Sequence, residues 1–242
     1  MKVQDKQGFT LVEMLVVIAI IAILAVALFP AIQSAINTAR ATAAKSKGRN
    51  AWMAISAANT ERDVLSLGML WPGDLIADVN VTLTDASSAE AYWTLLMSNN
   101  DQNGAAIASD ASDRVVADLS PDKITTPGVQ SAVPGAAVQP GQNAWHVFAV
   151  LDTDSAEMPF LLTRNANASE VIYQDGSNKT RLNLNSEVKP FGDSLAVWVN
   201  RGGNAMDARR RYLTLDRICS VPAPSDSSTL KFLASSTVAA AP

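Results

Sequence analysis

Cysteine and histidine are almost missing from this chain, which has one of each, Cys219 and His146, in 242 residues. A lone thiol makes no intramolecular disulfide, so the fold stands without that staple. It also excludes a cysteine-based zinc or iron–sulfur centre, and one histidine excludes a His-rich metal site. Nor can a Ser/His/Asp grouping be argued from a single unplaced histidine. Charge is scarce as well, at 17% of residues against roughly 25% in an ordinary soluble chain. With 19 Lys+Arg against 23 Asp+Glu, the net charge of −4 and the pI near 5.0 oppose a dedicated nucleic-acid binder, which carries a strongly basic face. No enzymatic role and no specific nucleic-acid partner are expected.

The charge deficit is concentrated. No charged residue stands between Glu13 and Arg40, and residues 14–32 read MLVVIAIIAILAVALFPAI, nineteen in a row. At ~1.5 Å per residue such a helix measures about 30 Å, the thickness of a bilayer's hydrocarbon core. A soluble helix of that length would show a polar face, and this one has none. A secretory signal has a shorter apolar region ending in a small-residue cleavage site, whereas here Phe29-Pro30 occupies that place. Two residues fit neither an ordinary anchor nor a signal peptide. Glu13 follows Phe9-Thr10-Leu11-Val12, and a carboxylate at bilayer depth costs on the order of 2.5–3.5 kcal/mol on insertion scales. No basic residue lies within helical reach on its C-terminal side, so its partner is expected from outside the stretch. Pro30 removes the hydrogen bond its N–H would give the Val26 carbonyl and invites a bend.

The run Gln7-Gly8-Phe9-Thr10-Leu11-Val12-Glu13-Met14 resembles the signal of type IV pilins and type II secretion pseudopilins. The likeness is close over about residues 1–50 and one of architecture beyond. It implies a leader, Met1 to Gly8, made basic by Lys2 and Lys6, and cleavage between Gly8 and Phe9 by a prepilin peptidase with N-methylation of Phe9. Counted from Phe9, Glu13 is the fifth residue and Pro30 the twenty-second, a place where many family members also carry Pro. The resemblance assigns Phe9, Glu13 and Pro30 to assembly, with Glu13 pairing to the Phe9 ammonium of a neighbouring subunit. Opposite charges attract strongly in a low-dielectric setting, which supplies the costly carboxylate with a partner. Further partners implied are like or related pilin subunits, an inner-membrane assembly platform and the membrane itself. The basic residues, Lys2 and Lys6 before the span and Arg40, Lys45, Lys47 and Arg49 after it, would by count alone keep the C-terminal part cytoplasmic. The peptidase signal implies the reverse, a cytoplasmic N-terminus. The chain also lacks the cysteine pair of many type IVa pilins, a departure toward a pseudopilin-like or lineage-specific member.

The remaining sequence suggests an α+β domain. Ile32, Ala35, Ile36, Ala39 and Ala43 continue the helical pattern on one face, giving one long helix from about Thr10 to Asn59, with bends allowed at Pro30 and Gly48. A loop at Trp71-Pro72-Gly73-Asp74 precedes a β-prone stretch at 81–84, and Ser87 or Ser88 caps a short helix through Leu96. Residues 99–142 read as a long loop with little core material. Strands are expected at 144–151, 159–165, 170–173, 194–200 and 210–216, the last two flanking a turn at Arg201-Gly202-Gly203-Asn204. Strands without intervening helices form an antiparallel sheet, one face of which covers the second half of the long helix. The expected domains are a leader at 1–8, a helix at 9–60 that spans the membrane to about residue 32, a pilin-like globular part at 61–220 and a loosely held tail at 221–242.

Other candidate sites are weaker. Asp152, Asp154 and Glu157 could offer oxygen ligands to calcium, with Asp193 and Asp207 as alternatives. The EF-hand spacing is absent and the acidic run reads first as a solvated turn, so no cofactor is expected beyond that calcium candidate. His146 alternates with apolar neighbours and should face solvent or a hydrogen bond. Arg209-Arg210-Arg211 reads as a solvated or subunit-pairing face rather than a phosphate contact. Asn80, Asn167 and Asn178 head short Asn-x-Ser/Thr matches of the kind chance supplies. The function expected is a structural subunit, stored in the inner membrane with its N-terminus cytoplasmic, then extracted into a periplasmic or surface filament. The alternative is a membrane-anchored extracytoplasmic binding domain or enzyme using the helix only as a tether.

Overall fold

A 54-residue helix, α1 (Leu11–Val64), carries Pro30 inside it without interruption. The computed structural model describes residues 10–78, 81, 83–84, 87–97, 116, 119–126, 129, 137–223 and 230–235. The chain divides into two compact units, residues 1–39 and 40–242. In the second unit the buried residues of α1 are Ala41, Ala44, Gly48, Ala51, Ala54, Ile55 and Asn59. Their three- and four-residue spacing draws one stripe along the helix, and its small side chains let backbone and sheet approach closely. The helix runs five residues past the expected Asn59 and stops in a C-terminal cap of Schellman form. Ser66 takes a positive φ of 56°, the Leu67 N–H reaches the Arg62 carbonyl at 2.9 Å and the Ser66 N–H reaches that of Asp63 at 3.1 Å.

The sheet against which this stripe packs has five antiparallel strands: β1 (Trp145–Phe148), β2 (Pro159–Thr163), β3 (Leu195–Asn200), β4 (Ala205–Arg209) and β5 (Phe232–Leu233). Their spatial order is β4-β3-β2-β1-β5. Every residue of β1, β2 and β3 is buried, which matches their near-continuous apolar sequence. A Cβ on Gly48 would stand 2.8 Å from Val199 Cγ2 of β3 and 3.1 Å from the Trp145 ring of β1. Trp52 of α1 donates its indole N–H to the Arg201 carbonyl at 2.6 Å, and Lys45 pairs with Asp207 of β4 at 2.6 Å. The expected α+β layout of a long helix and an antiparallel sheet is therefore present.

Several local expectations are corrected. The turn at 201–204 does join two strands, but the second is 205–209. The Asn200 N–H bonds the Asn204 carbonyl at 2.9 Å, so pairing resumes directly after the turn, with Val199 opposite Ala205. This strand forms the sheet edge and leaves Met206, Asp207 and Arg209 exposed, which is why its sequence looks polar. Residues 210–216, expected as a strand, form a 3-10 turn at Arg210–Tyr212 and lead into a short helix, α4 (Leu215–Ile218). Trp71-Pro72-Gly73-Asp74, read as a loop, opens another helix, α2 (Pro72–Ala77), because proline's fixed φ suits a first helical position. Of residues 170–173, Glu170 ends a 3-10 turn at Ala168–Glu170 and none lies in a strand. The described residues of 81–84 lie outside the strands.

The short helix expected through Leu96 is α3 (Ala89–Met97), whose Ala91 N–H reaches Ser88 Oγ at 3.3 Å. The 99–142 stretch lies largely outside the described residues, yet Val116, Leu119, Ile124 and Val138 within it are buried, so it does contribute core. The 221–242 tail is corrected over residues 230–235. Leu230 and Leu233 are buried, and β5 pairs with β1, Leu233 opposite Val147 and Phe232 opposite Phe148. Pairing here buries two leucines and satisfies an otherwise open strand edge.

Candidate processing and assembly segment

The amino end of α1 is closed by its own side chains. Thr10 precedes the first helical residue, and its hydroxyl oxygen accepts the Glu13 N–H at 3.3 Å. Glu13 returns the contact: Oε2 accepts the Thr10 N–H at 2.7 Å and the Thr10 hydroxyl at 2.8 Å. This is a capping box, which satisfies helix donors that lack an intrahelical acceptor. Thr10 thus supplies Glu13 with two donors from within the stretch, besides the charged partner expected from outside it. The Thr-x-x-Glu spacing that signals such a box stands in the sequence at Thr10-Leu11-Val12-Glu13. Both donors are neutral and both use one oxygen; Oε1 makes no hydrogen bond among the described residues. Gly8 and Phe9 lie outside the described residues.

Beyond Glu13 the helix presents apolar side chains all round. Its most apolar 18-residue window has a mean hydropathy of 3.2 and none of it is buried. Ile18, Ile23, Val26 and Phe29 are each more than 60% exposed. The core helix of a soluble protein would be covered, so full exposure separates this segment from that class. The helix also continues without a break far past any signal-peptide length. A surface of this kind suits lipid or other helices. Pro30 sits within this helix, where its missing N–H leaves the Val26 carbonyl without its usual donor.

The other candidate residues are scattered. Asp152 Oδ1 accepts the Trp71 indole N–H and an Arg201 N–H, each at 3.1 Å. Asp154 Oδ2 accepts the Leu151 N–H at 2.7 Å, and the Glu157 N–H donates to Ser155 Oγ at 3.3 Å. Asp74 joins this corner by accepting the Asp152 N–H at 3.0 Å. Burial raises its carboxyl pKa above the ordinary value; the Asp152 N–H and Arg201 oppose that rise, and the Asp152 and Asp154 carboxylates add to it. Among the described residues no three His, Cys, Asp or Glu side chains gather where they could hold a metal ion. The alternatives Asp193 and Asp207 are engaged in ion pairs with Arg210 at 2.7 Å and Lys45 at 2.6 Å. Arg211 lies over the Tyr212 ring at 5.7 Å. Asn80 is outside the described residues.

His146 does not face solvent: it is 6% exposed. Its Nδ1 accepts the Ser235 N–H at 2.9 Å, which puts the ring proton on Nε2 for donation to the Arg164 carbonyl at 3.2 Å. Burial pushes its pKa down to about 4, against the opposing pull of the Arg164 carbonyl and Glu90. The sequence offered no sign of this pairing, because Ser235 lies in the tail.

The geometry at the helix start agrees with a comparison of the sequence. The family model of the prokaryotic N-terminal methylation motif matches residues 4–29, so the chain carries the prepilin signal of type IV pilins and pseudopilins. Its long apolar helix and five-stranded antiparallel sheet make a pilin-like α+β arrangement. No curated protein and no solved structure matches the chain. The motif supports a pilin-like or pseudopilin-type processed protein and implies a prepilin peptidase and other pilin subunits as partners. With the apolar helix it fits membrane anchoring before filament assembly. It is the signal of a structural family rather than of an enzyme.

Proposed function

We propose that this chain is a structural subunit of a type IV pilus or type II secretion pseudopilus. The observation that carries the reading is a wholly exposed apolar helix that begins in a capped glutamate, Glu13, inside the matched methylation motif. In this reading the precursor waits in the inner membrane with residues 1–8 cytoplasmic. Cleavage after Gly8 then frees the Phe9 amine, which is methylated.

Extraction exchanges lipid contact for contact with neighbouring apolar helices, and van der Waals packing replaces the lost lipid shell. The subunit contact is head-to-tail and does not close, so it propagates a filament. Glu13 enters that contact with Oε2 held by Thr10 and Oε1 open to the ammonium of an adjacent subunit's Phe9. Pre-orientation of the carboxylate by the capping box lowers the cost of ordering it at the moment of pairing.

The test is intact mass and N-terminal peptide mapping of the protein from its native membrane. A chain starting at N-methylated Phe9 is expected. A chain still starting at Met1, in cells with active prepilin peptidase, would overturn the reading in favour of a domain that is only anchored.

A further inference from the structure

A cleft of about 470 Å³ opens between the end of β2, residues 183–185 and the end of β5. Among the described residues Arg164 is the only charged one lining it, and it is 7% exposed. Its Nε donates to the Lys189 carbonyl at 2.8 Å, while Nη1 is buried with no partner among the described residues. A guanidinium keeps its charge at any physiological pH, so a buried N–H without an acceptor carries a desolvation cost that an incoming oxygen removes. The next residue has the complementary lack. Asn165 is 1% exposed and gives its amide hydrogens to the Gly192 and Leu195 carbonyls at 2.7 and 2.8 Å, while its Oδ1 is buried and accepts no hydrogen bond among the described residues.

We propose that this cleft binds a small carboxylate-bearing sugar, of the uronic-acid class, with the carboxylate on Arg164 and a neighbouring hydroxyl on Asn165. A guanidinium fork matches a carboxylate in shape and charge, and a hydroxyl donates to the vacant amide oxygen while accepting elsewhere. A doubly charged phosphate fits less well. Among the described residues only one cation lines the cleft, and buried Glu90 lies close enough to Arg164 to offset part of its charge. The rest of the lining suits a sugar. Half-buried Phe232 offers an apolar ring, and the Asn167 and Asn183 amides are held in place by Glu170 at 2.8 and 2.7 Å. Neither buried atom faces the open cleft, so binding requires the Arg164 and Asn165 side chains to shift toward it.

The test is binding of glucuronate to the full chain in a polyoxyethylene detergent, which carries neither sugar nor charge, followed by calorimetry or saturation-transfer NMR. Glucose and inorganic phosphate are the comparison probes. Arg164→Lys keeps the charge and removes the fork. Ala234→Trp fills the exposed rim of the cleft without removing a side-chain hydrogen bond. Saturable glucuronate binding is expected, weakened ~tenfold or more in each variant, with glucose weaker by a similar factor. The proposal is overturned by no glucuronate binding, by glucose binding equally, by phosphate binding more tightly, or by an Ala234→Trp chain that folds and binds as before. The measurement does not involve filaments, so its outcome is independent of the assembly reading.

Discussion

Glu13 closes on Thr10 through a single oxygen, Oε2, which accepts both the backbone N–H and the hydroxyl of Thr10. One carboxylate therefore has a local task, starting the helix, and keeps a second oxygen for another partner. The two roles separate by substitution. Glu13→Gln preserves a capping acceptor but removes the charge, so we expect normal cleavage and helix formation with at least tenfold fewer filaments, on the scale of an ion pair lost in low dielectric. Thr10→Ala removes the cap, worth about 1 kcal/mol, and should assemble far better than Glu13→Gln. Sheared-filament yield alongside N-terminal mass reads both; abundant filaments from Glu13→Gln would remove the charge from the mechanism.

Gly48 tests which of two opposing effects wins on α1. Alanine would raise helix propensity by about 1 kcal/mol, but its Cβ would stand 2.8 Å from Val199 Cγ2 and 3.1 Å from the Trp145 ring. Both neighbours are fully buried and have little room to yield, and overpacking costs roughly 1–3 kcal/mol. Gly48→Ala should therefore lower the stability of the full chain in micelles by about 1 kcal/mol. Thermal unfolding followed by near-ultraviolet circular dichroism is the check, and an increase in Tm would show that the helix can shift off the sheet.

Ser66 gives the opposite sign. It holds φ at 56° in the cap that ends α1, a left-handed conformation that costs a side-chain-bearing residue roughly 1–2 kcal/mol. Glycine adopts it freely but loses more chain entropy. The balance predicts that Ser66→Gly stabilises the chain by about 0.5–1 kcal/mol. Chemical denaturation should show a higher midpoint, whereas an unchanged or lower one would mean the serine is held by more than its backbone.

Leu233 tests the tail. It is 1% exposed and sits opposite Val147 in the sheet. Leu233→Ala should cost about 2–4 kcal/mol, the range for emptying a packed leucine site. Unfolding of the variant at the wild-type midpoint would show that residues 230–235 add nothing to the core.

His146 sets a dependence on pH. Its folded pKa, about 4, lies below the unfolded value near 6.5, so the unfolded chain binds the proton first as pH falls. The stability due to the neutral imidazole is present above about pH 6.5 and is lost progressively down to about pH 4, on the order of 3 kcal/mol in all. Being the only histidine, it contributes a single imidazole signal to an NMR titration of the full chain in micelles. That signal should stay unprotonated down to pH 5; a midpoint near 6.5 would contradict its burial.

Much of α1 was readable because its signals are local. Uncharged apolar residues from Met14 to Ile32 and the continuing pattern of Ile32, Ala35, Ile36, Ala39 and Ala43 each act within a turn or two of helix. β1, β2 and β3 were likewise visible as short, dense apolar runs, since strands covered on both faces need no polar alternation. The edges of the sheet were not. β4 exposes most of its side chains, so its pattern resembles a loop, and β5 is two residues long, with pairing that comes wholly from distant β1.

Sequence alone determined the processing signal, the apolar span and the placement of one acid at its start, because each depends on residue type and spacing along a single helix. Tertiary structure alone decided that Gly48 faces Trp145, that the supposed tail completes the sheet, and that His146, Arg164 and Ser235 meet. These depend on contacts between segments tens of residues apart. Loop closure and burial choose such contacts from many that the local pattern permits.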